Sequence, residues 1–236
     1  MKQIAKMIFR RNCQRGSIRL HRSARAFTLI ELLVVMAIIG ILAALIVSLS
    51  GVASEKRRRS LVEVEKEKLV MMIESYHEKL GAYPPDNGSL ATNTNPSIYA
   101  DLAGNNPLYY ELTGVTFNEA TGVYTLFDNK TVTNADYKNA FNIGGIRNAA
   151  IPNTDSDTSY GKKFYHPVPK ANQHKTASVN NVNVELLVCP VDLQTGQINP
   201  WKYDASSTNR HNLDSFDIWA DFSAGGKTVT IGNWKQ

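Results

Sequence analysis

The chain has 236 residues, 43% of them apolar and 20% charged, enough for one or two domains and a sizeable core. Its net charge of +5 would suit nucleic acid, but eight basic residues and no acidic one fall within residues 1–26; without those eight the charge is −3 and that reading loses its main support. Of the two cysteines, Cys13 and Cys189, only the second lies beyond residue 26, which excludes an intramolecular disulfide there and leaves the fold to its core and hydrogen bonds.

Residues 1–26 read as a basic leader: Lys2, Lys6, Arg10, Arg11, Arg15, Arg19, Arg22 and Arg25. An ordinary secretory signal places its small-residue cleavage site after the apolar run. Here Ser23, Ala24 and Ala26 come before it, so cleavage at this point would leave the apolar helix on the mature chain. From Leu32 to Val47 no polar side chain intervenes, and Leu49, Val52 and Ala53 extend the run. Residues 27–53 are therefore expected to cross a bilayer, which needs roughly 20 apolar residues.

One carboxylate, Glu31, sits inside that stretch. A charge near the centre of a membrane helix costs about 2.5–3.5 kcal/mol on insertion scales, so it calls for a partner. Cutting between Ala26 and Phe27 would create one, because the freed amine stands one helical turn from Glu31. The larger basic flank is expected to stay cytoplasmic, with the C-terminal bulk outside. A second basic run, Lys56 to Arg59, reads as a solvated helix face near lipid headgroups, with Glu55 placed to pair with Arg58 and Arg59.

No proline occurs between Phe27 and Tyr83. Residues 54–83 read as an amphipathic extension, with Leu61, Val62, Leu69, Ile73, Tyr76 and Leu80 on one stripe. Glu63 with Lys66 and Glu65 with Lys68 add pairs on the polar side, Gly81 is a C-cap, and Pro84-Pro85 forbid continuation.

Residues 26–44, from Ala26-Phe27-Thr28-Leu29-Ile30-Glu31 onward, resemble the cleavage and methylation segment of type IV prepilins and type II secretion pseudopilins. The resemblance implies that a membrane prepilin peptidase cuts after Ala26 and methylates the amine of Phe27. It implies that Glu31 serves assembly by attracting the N-terminal amine of a neighbouring subunit. Ala26 stands where the family usually has glycine, and Ser48 where many relatives have proline. Ser48 keeps its N–H, so a continuous helix is expected.

Residues 84–236 are expected to form a globular, pilin-like domain. Residues 86–106 read as a long loop, 115–117 and 123–127 as a hairpin, and 128–160 as an irregular surface excursion. Further strands are expected at 163–165, 182–188, 216–222 and 227–231, the last two joined by a turn at 223–226. The fold class is α+β: a long N-terminal helix packed on one small antiparallel sheet.

Gly81-Ala82-Tyr83-Pro84, Asn199 to Tyr203, Phe216-Asp217-Ile218 and Ile231 to Trp234 resemble the major pseudopilin of type II secretion. The resemblance implies calcium in the loop before the final Trp segment. Calcium takes six to eight oxygens, whereas residues 221–230 hold one acid, Asp221, and a lysine in the turn. A plain hairpin is the expectation, with Asp221 the one candidate ligand.

No catalytic constellation is legible. His21, His77, His166, His174 and His211 form no metal-ligating pair, no phosphate-cradling glycine loop occurs, and no metal or other cofactor is expected. Tyr109, Tyr110, Trp201, Trp219 and Trp234 read as packing residues, and Cys189 as a buried structural thiol. The expected function is that of a structural subunit of a type II secretion pseudopilus, not an enzyme. Its partners would be copies of itself, the prepilin peptidase, an inner-membrane assembly platform and minor pseudopilins. A surface type IV pilin for adhesion, motility or DNA uptake is the alternative, and a membrane-anchored periplasmic enzyme a third reading.

Overall fold

The computed structural model describes residues 27–93, 95–152, 160–193 and 196–235, with the side chains of 45–50, 52, 96 and 97 also outside the described set. The expected leader 1–26, Ala26 and His21 included, lies outside the described residues, as does the side chain of Ser48. The chain divides into two compact units, Met1–Ser48 and Leu49–Gln236.

Helix α1 is assigned over Leu29–Leu80. In the first unit its described apolar side chains are all open to solvent, from 47% exposed at Val35 to 81% at Leu29. Among the described residues no helix is long and apolar enough to cross a membrane. The expected span over 27–53 is thus not recovered. Its described side chains include no polar one only from Leu32 to Ala44, short of the roughly 20 residues required.

In the second unit α1 buries Val62, Leu69, Met72, Ile73 and Tyr76 in the main core. Of the expected stripe, Val62, Leu69, Ile73 and Tyr76 are buried and Leu80 is partly buried, whereas Leu61 is 47% exposed. The polar flank holds its neighbours. Glu65 accepts from the Tyr165 hydroxyl at 2.6 Å and from Gln173 Nε2 at 3.0 Å. It also approaches Lys68 at 4.0 Å, the expected pair. Glu63 pairs with Arg59 at 3.3 Å instead of Lys66, whose ammonium reaches Glu67 at 2.9 Å. Past the last turn, Gly81 sits at φ +74° and donates its N–H to the His77 carbonyl at 2.8 Å, the left-handed cap that ends the helix.

The expected loop at 86–106 contains a short helix, α2 (Pro96–Gly104), followed by α3 (Leu108–Thr113), whose residues are all buried. The expected single antiparallel sheet is replaced by three small ones. Strands β1 (Val115–Asn118), β2 (Val123–Thr125), β3 (Thr131–Thr133) and β4 (Ala149–Ala150) form a mixed sheet in the order β3-β2-β1-β4, with β1 and β4 parallel. The hairpin at 115–127 is present as β1–β2. The region read as an irregular excursion contains β3, β4 and helix α4 (Asn134–Phe141), which buries Tyr137, Ala140 and Phe141.

Strands β5 (His174–Val179) and β6 (Val182–Leu187) form the second sheet. Strands β7 (Lys202–Asp204), β8 (Asp217–Ala224) and β9 (Lys227–Gly232) form the third. Residues 163–165 are not a strand; Phe164 and Tyr165 instead fill the core, with Phe164 against the Tyr76 ring at 5.1 Å. The turn between β8 and β9 uses Gly225 and Gly226, both at positive φ, where a side chain would be strained.

Candidate processing and assembly site

Thr28 and Glu31 close a reciprocal cap on the first turn of α1. The Thr28 N–H and hydroxyl both donate to Glu31 Oε2, at 2.9 and 2.8 Å, and the Glu31 N–H reaches back to Thr28 Oγ1 at 3.3 Å. The first helical backbone bond, Leu32 N–H to the Thr28 carbonyl, is 3.3 Å long. This is the capping box, in which two otherwise unpaired donors at a helix start are satisfied by one Thr-x-x-Glu pair. The carboxylate is also an anion at the positive end of the helix dipole.

The sequence reading singled out Glu31 as a charge in need of a cation and missed Thr28. The signal was available, since Thr28-Leu29-Ile30-Glu31 has capping-box spacing directly before an apolar run. Phe27, Ile30, Glu31, Val34 and Val35 recur at helical spacing and line one shallow cavity of about 320 Å³. Glu31 therefore shares its helix face with Phe27, which is 79% exposed. Such a face offers apolar contact and one carboxylate to whatever covers it.

Residues 21–47 match the family described as the prokaryotic N-terminal methylation motif. The N-terminal segment is type IV prepilin-like. The motif is that of structural, pilin-like subunits processed by prepilin peptidase, and the matched residues include Ala26, Phe27 and Glu31. No curated protein and no solved structure matches the chain.

Beyond that segment, several charged side chains are engaged internally. Asp221, the candidate calcium ligand, accepts from Thr230 Oγ1 at 2.5 Å on one oxygen and from the Lys202 ammonium on the other. Its carbonyl accepts from Asn199 Nδ2 at 2.7 Å. The lysine supplies the positive charge a metal would, and the acid's role is to tie β7, β8 and β9 together. Among the described residues no group of three or more His, Cys, Asp or Glu could hold a metal ion.

Three of the described histidines, His77, His174 and His211, are engaged in packing and local bonds. His77 stacks on Tyr83 at 4.2 Å, and His211 stacks on Trp234 at 4.0 Å while bonded to buried Asp217 at 3.0 Å. His174 meets Glu185 at 2.7 Å. Glu185 also accepts from Lys130 at 2.7 Å and Thr176 at 2.6 Å. Tyr109, Tyr110, Trp201 and Trp219 are buried as expected, with Trp234 edge-on to Trp219. Cys189 is 3% exposed, and burial pushes its thiol up to about 12, which leaves it unreactive.

Proposed function

We propose that this chain is a pseudopilin, cut before Phe27, methylated there, and assembled through its N-terminal helix into a filament that supports type II secretion. Before assembly, residues 27–53 anchor it in the inner membrane, with the leader cytoplasmic and residues 84–236 periplasmic. The observation that carries this reading is the helix over 29–44, whose described apolar side chains are all uncovered and whose Glu31 lies on the Phe27 face. Each Leu, Ile or Val covered there contributes roughly 1.5–3 kcal/mol in water, far more than a lone soluble chain would leave unused. Lipid satisfies that surface before assembly, and neighbouring copies satisfy it afterwards.

Glu31 gives such packing a register. A carboxylate removed from water is costly alone and much less so beside a cation, and the neighbouring subunit's Phe27 amine supplies one. Thr28 contributes by aiming the carboxylate at the N-terminal end of the helix through Oε2. Glu31→Val should leave cleavage largely intact and reduce incorporation into cross-linked filaments by about tenfold or more, the scale of losing one buried charge partner. Wild-type incorporation would contradict the assembly role. Deletion of the chain should abolish export of secreted proteins; intact export with loss of sheared surface filaments would favour a type IV pilus subunit.

A further inference from the structure

A cavity of about 790 Å³ opens where residues 54–61 of α1 pass the segment 190–193, a size within the roughly 300–1,000 Å³ of small-molecule sites. Its walls carry Ser54, Arg57, Arg58 and Asp192, and its apolar lining includes Leu61 and Leu193. Among the described residues neither Arg57 nor Arg58 makes an ion pair, whereas Arg59 beside them is matched by Glu63. Glu55, the partner expected for Arg58 and Arg59, is turned instead against the β8–β9 turn. Its carboxylate comes within 3.0 Å of where a Cβ on Gly225 would stand. Arg58 is held at the cavity by a long contact from Nη1 to the Ser223 carbonyl, 3.5 Å.

We propose that this cavity binds the headgroup of an anionic phospholipid with a hydroxylated head, of the phosphatidylglycerol type. The proposal rests on reading 27–53 as a membrane anchor. Two guanidinium groups lining one cavity suit a phosphodiester, since arginine forks match phosphate oxygens. Asp192 on the same wall disfavours a doubly charged phosphate and can accept a hydrogen bond from a headgroup hydroxyl. Leu61 and Leu193 provide apolar surface for the glycerol backbone and the first methylenes. In sequence the site begins one residue after Ala53, where a bilayer span would give way to headgroups. Basic side chains at that level gain from anionic lipid.

The test uses the full chain in nanodiscs of mixed phosphatidylglycerol and phosphatidylcholine, with retained lipid counted by native mass spectrometry. Wild type should retain phosphatidylglycerol preferentially, and Arg57→Gln/Arg58→Gln should lose that preference by about fivefold or more. Arg59→Gln, whose partner is Glu63, should keep it. Equal retention of both lipids by wild type, an unchanged double variant, or an equal loss in Arg59→Gln would overturn the site. Displacement of the lipid by millimolar inorganic phosphate would also overturn it, by reassigning the cavity to a soluble anion. Failure of the chain to enter all-phosphatidylcholine discs would overturn the anchor reading instead. In that event dihexanoyl phosphatidylglycerol titrated against the detergent-solubilised chain decides the site. Saturable binding that depends on Arg57 and Arg58 supports it, and its absence overturns it.

Discussion

Asp86, directly after the two prolines that follow α1, is 5% exposed and holds a distant loop in place. Its carboxylate accepts from the Ala205 and Ser206 N–H groups at 2.7 and 2.8 Å and from the Ser206 hydroxyl at 2.9 Å. Burial pushes its pKa up to about 6 against those bonds, and the neighbouring Asp204 charge adds to the rise. A raised carboxylate means the native chain holds a proton that the unfolded chain has released. This group's contribution to stability is therefore fully present below the unfolded value and is lost as pH rises through about 6. Asp204, whose pKa is lowered by bonds from Ser207 and Tyr99 that outweigh its burial, loses its contribution only at lower pH. The melting temperature of Asp86→Asn minus that of wild type should become more positive between about pH 4 and pH 7; a difference flat with pH would contradict the assignment. Such residues were not legible in the sequence, because their partners are far along the chain. Glu111, wholly buried, is held by the Tyr76 hydroxyl at 2.7 Å and the Arg147 and Asn148 N–H groups at 2.9 and 3.0 Å. Glu31 stands out in the sequence because its signal is local, one charge in an apolar run, although Thr28, the residue that caps it three positions away, was not singled out.

At the scale of elements, strong periodicity was readable and weak periodicity was not. The stripe that docks α1 and the hairpins β1–β2 and β8–β9 follow apolar spacing or glycine turns. Strand β5 was missed because four of its six residues are polar and three of those face solvent, so no apolar alternation marks it. Its pairing with β6 depends on the turn. Asn180 and Asn181 both take positive φ, 49° and 64°, which is the two-residue hairpin geometry whose twist matches the strands. Asparagine tolerates that region and alanine does not, at about 1–2 kcal/mol per residue. Asn181→Ala should destabilise the domain by about 1 kcal/mol in chemical denaturation, while Asn181→Gly should leave it at least as stable as wild type; equal stability of the alanine and glycine variants would contradict the turn assignment. Helix α4 escaped notice for a similar reason. Its start is signalled by Thr133, whose hydroxyl accepts from the Asp136 N–H at 3.0 Å, inside a stretch otherwise read as irregular.

At the scale of the whole molecule, the two units differ in what remains uncovered. Residues 49–236 bury a continuous aromatic and aliphatic core, and their buried acids are bonded to named donors. The described part of 1–48 buries nothing of its own, and its helix presents Phe27, Glu31 and a run of large apolar side chains outward. A unit that is unsatisfied as a single chain is what a processed assembly segment requires, and the methylation motif at 21–47 falls on it. In the proposed function, cleavage before Phe27 makes the cation that pairs with Glu31. Mass spectrometry of the chain from cells with active prepilin peptidase tests it most directly. A mature N-terminus at Phe27 carrying a methylated amine is expected, whereas a chain still beginning at Met1 would overturn the processing step.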